Sequence, residues 1–185
     1  VSDNRSEPYW VDPPHPSRID PERLWQQCEM QMVRRGGPGG QHRNKTSSGV
    51  VLTHRPTGLI GEAAERRSQA DNRRLALRRL RHALAIGVRC RPMAERTERL
   101  PAAAALRQRY QGGSLRMAES NPDRPALLSL LLDDLWEEAC ELSAVADRWQ
   151  TSSSQIVGLL RSFPPALELV NRWRRARNSQ ARRLR

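Results

Sequence analysis

The sequence predicts an α+β fold: a small antiparallel sheet packed by one long helix, then a connector, then a C-terminal all-α bundle with a basic tail. Three observations predict it. Strand-like segments with turn residues between them fill residues 28–62. A helical apolar repeat opened by a capping serine follows, over residues 68–85. From 125 to 173 the apolar spacing stays helical, interrupted only by short polar or proline-containing breaks. The expected units are a disordered leader 1–17, a sheet-and-helix domain 18–87, a connector 88–124, a helical bundle 125–173 and a basic tail 174–185.

Each element has its own signal. Pro8, Pro13, Pro14 and Pro16 mark the leader as extended or disordered. Asp20 is an N-cap and Pro21 sits in the first turn, which predicts a short helix to about Gln27. A strand from Cys28 to Arg34 follows, with Cys28, Met30 and Met32 on one face. Val50–His54 and Leu59–Glu62 flank Arg55-Pro56-Thr57-Gly58, whose proline and glycine supply the turn of a hairpin. Ser68 caps a helix to about Ala85, in which Leu77, Leu80 and Leu84 should pack on the sheet. Arg74, Arg78 and Arg81 lie within about sixty degrees on an adjacent face. They form a basic stripe that either faces RNA or is a solvated arginine face, and acidic i+4 partners are missing from it.

Pro92, Pro101, Gly112-Gly113 and Asn121-Pro122 mark the connector, with one helix from Pro101 to Tyr110. In the bundle, Leu142, Val145 and Trp149 repeat at helical spacing, then Ile156, Leu159, Leu160 and Phe163, then Leu167, Val170 and Trp173. Thr151–Ser154 and Pro164-Pro165 are the breaks. Ala146 and Ile156 stand ten apart around a polar turn, as in a helix-turn-helix, but Gln150 occupies the place where glycine is expected. Residues 93–171 carry 8 Arg against 11 acidic residues, net −3, which suits packing or a protein partner better than DNA. Residues 172–185 hold seven arginines, Arg172, Arg174, Arg175, Arg177, Arg182, Arg183 and Arg185, with no acidic residue. They read as a basic arm that folds on RNA or as a solvated tail.

A net charge of +12 at 185 residues points to a polyanionic partner through counterion release. Lys45 is the only lysine, a bias that suits RNA phosphates and equally follows from a GC-rich genome. Cys28, Cys90 and Cys140 are odd in number and lack metal-ligand spacing, so neither zinc nor a disulfide framework is expected and the compartment is read as reducing. No apolar run is long enough to span a membrane and no signal peptide opens the chain. A cytoplasmic monomer without metal or cofactor is the expectation.

The chemistry is concentrated in residues 35–46, Arg-Gly-Gly-Pro-Gly-Gly-Gln-His-Arg-Asn-Lys-Thr. Gly39 and Gly40 free the backbone for conformations closed to residues with a Cβ. Gln41 then presents one neutral amide, both donor and acceptor, able to orient a water without holding a charge. No Ser/His/Asp set, carboxylate pair or metal cluster accompanies it, so an active site must be borrowed.

Further on stand Thr53-His54-Arg55-Pro56-Thr57-Gly58 and Arg67-Ser68-Gln69-Ala70-Asp71-Asn72. In this order the three motifs resemble the peptidyl-hydrolase domain of bacterial class I peptide chain release factors and of the smaller release-factor-like ribosome-rescue hydrolases. The resemblance covers roughly residues 28–86. It implies insertion of the loop into the ribosomal peptidyl-transferase centre, against large-subunit ribosomal RNA and P-site peptidyl-tRNA. There the Gln41 backbone N–H would help stabilise the developing oxyanion or leaving group while its side chain positions water, one such donor being worth roughly 3 to 4 kcal/mol. Gly39 and Gly40 would hold the loop conformation and Pro38 would restrict it. Arg43 and Lys45 would neutralise RNA phosphates, although many family members carry an aliphatic residue where Arg43 stands. His42 and His54 are read as packing or RNA-contact residues, and Ser68, Gln69 and Asn72 as capping the long helix and tying it to the loop base. Decoding factors carry further domains for which this chain has no room, so a codon-independent rescue type is the expected member. The interposed bundle departs from the rescue pattern and offers a surface for a protein partner.

Overall fold

The computed structural model describes residues 9–33, 48–91 and 101–183, with the side chains of 101, 102 and 179–183 outside that description. Helix α1, Pro21–Gln26, starts where the sequence placed it. The Asp20 carboxylate accepts the backbone N–H groups of Glu22 and Arg23 at 2.9 and 3.4 Å, and proline occupies the first turn. Strands β2 (Cys28–Val33), β3 (Gly49–His54) and β4 (Ile60–Ala63) form an antiparallel sheet in that order. Helix α2, Gln69–Gly87, crosses one face, and Ser68 caps it through Oγ to the Asp71 N–H at 3.3 Å. Leu24, Val50, Leu52, Ala63, Ala76, Leu80 and Leu84 are the shared core. The helix lies against β4 without side chains between them: a Cβ at Gly61 would stand 2.2 Å from the Ala76 carbonyl oxygen and 2.5 Å from the Leu80 nitrogen. Leu77, expected in the core, is only partly buried, because the face centred on Ala76 and Leu80 meets the sheet.

The disordered leader is corrected for residues 9–17. Tyr9–Val11 form β1, paired in parallel with β5 (Val88–Cys90), and a 3-10 turn follows at Pro16–Arg18. The prolines that read as disorder shape a segment held by burial. His15 is fully buried, its Nε2 donates to the Val88 carbonyl at 3.0 Å, and its Nδ1 accepts the Ser17 N–H at 3.1 Å. Burial, with Arg18 and Arg89 nearby, pushes its pKa well below the ordinary histidine value.

The remaining helices are α3 (Pro101–Tyr110), α4 (Arg124–Glu137), α5 (Leu142–Arg148), α6 (Ser153–Arg161) and α7 (Pro164–Arg183). Helix α4 is the axis of this unit, with residues 124–135 all buried, as its nearly uninterrupted apolar run requires. It packs on α2 as well as on the other helices. Pro164 and Pro165 mark the predicted break and then open α7 at once, since a first-turn proline needs no intrahelical donor. Between α5 and α6, Gln150 holds φ at 48°, the left-handed conformation for which glycine was expected.

Two further expectations change. Residues 88–124 are more than a connector: Leu115 is fully buried in the helical core, and Arg89 and Arg107 are buried beneath α4. The tail continues α7 as far as Arg183 and is anchored to the helical unit at Arg177. Arg177 donates to the Trp136 carbonyl at 2.8 Å and its guanidinium lies 4.9 Å from the Trp136 ring centre. Trp136 in turn meets Trp10 and Trp173 edge to face, with ring centres 5.8 and 5.0 Å apart.

Candidate functional site

The glycine-rich segment connects β2 to β3. Val33 and Gly49 are register partners at the end of that pair, so the chain leaves and re-enters the sheet at neighbouring positions. Gly49 is required there, since a Cβ would stand 2.7 Å from the Val33 carbonyl oxygen and 2.9 Å from its side chain. Gly39, Gly40, Gln41, Arg43 and Lys45 lie outside the described residues.

The two feet of that segment are both tied to the start of α2. Asn72 is fully buried and donates through Nδ2 to the Ser48 carbonyl at 2.7 Å and the Arg66 carbonyl at 2.8 Å. Its Oδ1 accepts the Arg66 N–H at 2.9 Å, which completes the amide's ordinary donor and acceptor needs. Gln69 donates to the Met32 sulfur at 3.0 Å on the opposite foot. Ser68, Gln69 and Asn72 therefore do what the motif reading expected of them.

The Thr53–Gly58 motif is a self-satisfied turn. Thr57 and Gly58 donate backbone N–H groups to the His54 carbonyl at 3.2 and 2.8 Å, and Gly58 holds φ at 70°. His54 is buried; its Nε2 donates to Gln27 Oε1 at 3.1 Å, and its Nδ1 accepts from the Thr57 hydroxyl at 2.8 Å. Burial lowers its pKa, and with both nitrogens committed it is a structural group. His15 likewise commits both ring nitrogens.

The basic stripe divides. Arg74 and Arg78 are exposed, with Arg74 in contact with Asp71, the acidic partner lying at i−3 and not at i+4. Arg81 spans to the Ser17 carbonyl at 3.1 Å and the Pro122 carbonyl at 3.1 Å, tying the leader and the chain before α4 to α2. Arg73 adds a cation that the sequence reading passed over, lying 4.7 Å from the Trp25 ring centre. Arg66 and Arg67, also exposed, flank the Asn72 clamp. On α7, Arg172 is half-buried, Arg174 and Arg175 are exposed and Arg177 caps Trp136. Arg182 and Arg183 belong to the helix with side chains outside the described residues, and Arg185 lies beyond them altogether.

The model of the RF-1 domain family matches residues 19–123, more than half of the chain. The chain belongs to the class I peptide chain release factor family. Release factor 1 of Symbiobacterium thermophilum is 46% identical over 68 residues, which is 37% of this chain and 19% of that protein. The mitochondrial release factor 1 of Bos taurus is 44% identical over 68 residues, 37% of this chain and 15% of that protein. The mitochondrial release factor 1-like protein of Rattus norvegicus is 52% identical over 48 residues, 26% of this chain and 13% of its own length. The chain thus spans less than a fifth of these relatives. No solved structure matches it. The release-factor match ends one residue before α4, so α4 to α7 lie outside it. Among the described residues no helix is long and apolar enough to cross a membrane.

Proposed function

We propose that this chain is a ribosome-dependent, codon-independent hydrolase of the peptidyl-tRNA ester, a release factor that frees stalled ribosomes. The observation that carries the reading is the double clamp: in a release-factor domain, Gln69 and Asn72 hold both feet of the segment bearing Gly39-Gly40-Gln41. A loop fixed at its base loses less freedom when its tip enters the peptidyl-transferase centre, where orientation governs the rate. Gln41 would offer its backbone N–H to the developing charge and its amide to the attacking water, while the ribosome supplies the remainder of the site. Arg43 and Lys45, with Arg74 and Arg78, would neutralise large-subunit ribosomal RNA. The protein would work in the cytoplasm as a monomer, without metal or cofactor.

Codon independence is favoured by the character of the last helix. Exposed Arg174 on α7 presents a guanidinium group, which suits a phosphate and carries no sequence information. The test is peptide release from ribosomes carrying P-site peptidyl-tRNA, compared across empty, sense and stop-codon A sites. Similar release from all three is expected, with Gly40→Ala abolishing it while ribosome binding changes only a few-fold. Release confined to stop codons would overturn codon independence. Hydrolysis of free peptidyl-tRNA without ribosomes would overturn the borrowed active site.

A further inference from the structure

A cleft of about 400 Å3 opens on the helical unit, away from the glycine-rich segment, and is lined by Ser114, Arg116, Ser154, Gln155 and Gly158. Its two walls are locked together. Leu115 is fully buried and its N–H donates to Gln155 Oε1 at 2.9 Å, which leaves its neighbours Ser114 and Arg116 to line the opening. The Gln155 oxygen is thereby used, and its two N–H donors remain available.

Two features of the cleft have no use within the fold. Gly158 sits inside α6 with an ordinary helical φ, and a Cβ there would meet nothing within 4 Å. Glycine is among the poorest helix formers, so alanine would favour this helix and would fit. A bare backbone at that place leaves room for something outside the chain to approach closely. The second feature is Arg116. Of the other arginines in this unit, Arg107, Arg109 and Arg148 pair with carboxylates and Arg124 and Arg177 cover aromatic rings, while Arg161 and Arg174 are exposed but do not line the cleft. Arg116 is exposed at the cleft and its guanidinium has no partner among the described residues.

We propose that this cleft binds one unpaired nucleotide of an RNA. Its volume lies within the range of small-ligand pockets and accommodates a base with its ribose phosphate. A planar base could lie close over Gly158, its edge acceptors facing the Gln155 amide and the Ser154 hydroxyl. The Arg116 guanidinium would take the phosphate or stack on the base, both favourable for a planar fork. RNA is favoured over an acidic peptide because the site sets a flat, side-chain-free floor and amide and hydroxyl donors beside a single planar guanidinium. The assignment is independent of peptide release and is tested without ribosomes.

The experiment measures binding of the full chain to three labelled RNAs of equal length by anisotropy: a duplex, the same duplex with one bulged nucleotide, and a single strand. Arg116→Ala and Gly158→Leu are compared with the parent, after circular dichroism and melting confirm that both fold. Both substitutions should weaken bulged and single-stranded RNA by on the order of tenfold and leave the duplex nearly unchanged. Free nucleoside monophosphate should compete only at millimolar concentration. Equal loss for all three RNAs would make Arg116 a general counterion and overturn the assignment, as would unchanged binding in both variants. Tight binding of the free mononucleotide that RNA does not displace would assign the cleft to a small molecule instead.

Discussion

Arg89 and Asp133 meet at 3.0 Å beneath the junction of the sheet domain and the helical unit, the guanidinium fully buried on the strand that leaves α2 and the carboxylate on α4. Arg18 reaches the same carboxylate from the other side, and Arg89 also donates to the carbonyls of Ala85, Ile86 and Ser129. Burial pulls the Arg89 pKa down to about 10, still far above neutrality, so the cation persists and needs its partners. The next residue along α4 serves the opposite side: Asp134 takes Arg107 at 2.8 Å, Arg148 at 2.9 Å and the Trp149 indole N–H at 2.7 Å. Two adjacent carboxylates thus join the sheet-and-helix domain and the C-terminal helices into one packed body.

Removing the Asp133 carboxylate should cost far more than the pair contributes. Asp133→Ala leaves Arg18 and Arg89 facing each other under α4, and a loss of about 3–5 kcal/mol is expected in urea denaturation. Replacing the whole set with apolar residues, Arg18→Met and Arg89→Met with Asp133→Leu, should recover most of it. A triple variant as unstable as Asp133→Ala would show that the other hydrogen bonds of the two arginines, and not their charge, hold the junction.

Asn72 links stability to the proposed chemistry. Asn72→Leu keeps the side-chain volume but leaves the Ser48 and Arg66 groups unpaired, at a cost of about 1–3 kcal/mol. In the release assay it should lower the rate on saturated ribosomes more than the affinity for them, since the arginines proposed to meet RNA are untouched. Loss of affinity with an unchanged rate would make Asn72 a stabilising residue with no part in loop placement.

Gly61→Ala tests the contact of helix and sheet. The added methyl group would fall 2.2 Å from the Ala76 carbonyl oxygen, so α2 must shift and a loss of about 1–3 kcal/mol or more is expected. Because α2 also supplies Gln69 and Asn72, peptide release should fall with it. Wild-type stability would mean that α2 is free to lift from β4.

Stability should decline on mild acidification. His82 is packed against Phe163, ring centres 5.2 Å apart, with Arg78, Arg81 and Arg124 nearby, and its Nε2 has no partner. Burial first, then those cations, lowers its pKa to about 4 from the ordinary 6.5. The folded state therefore binds fewer protons than the unfolded chain between these values, and stability is full above pH 6.5 and lost as pH falls toward 4. Buried His15 acts in the same direction. Denaturation midpoints at pH 7.5, 6 and 5 should fall in that order, and His82→Phe should flatten the trend while leaving the share due to His15 and His54. A slope unchanged in His82→Phe would place the dependence elsewhere.

Local signals decided much of this molecule. Asp20-Pro21, Ser68 and the Arg55–Gly58 turn are read from neighbouring residues because caps and turns are satisfied within a few positions, and each stands where the sequence put it. The clamp by Gln69 and Asn72 was legible only through the motif they belong to, since Asn72 and Ser48 lie 24 residues apart. Tertiary structure alone decided the rest. Asp133 and Asp134 in an apolar run, and Arg89 between Val88 and Cys90, are charges at core positions whose partners lie on other elements: Asp133 meets Arg89 and Arg18, 44 and 115 residues away, and Asp134 meets Arg107 and Arg148, 27 and 14 away. A buried charge cannot announce its partner locally, because what offsets its desolvation is set by how distant elements close around it. The leader prolines and Arg177 misled for the same reason: composition describes what a segment does in water, and packing on Val88 and Trp136 took His15 fully, and Trp10 and Arg177 partly, out of it, while Arg174 and Arg175 stay exposed.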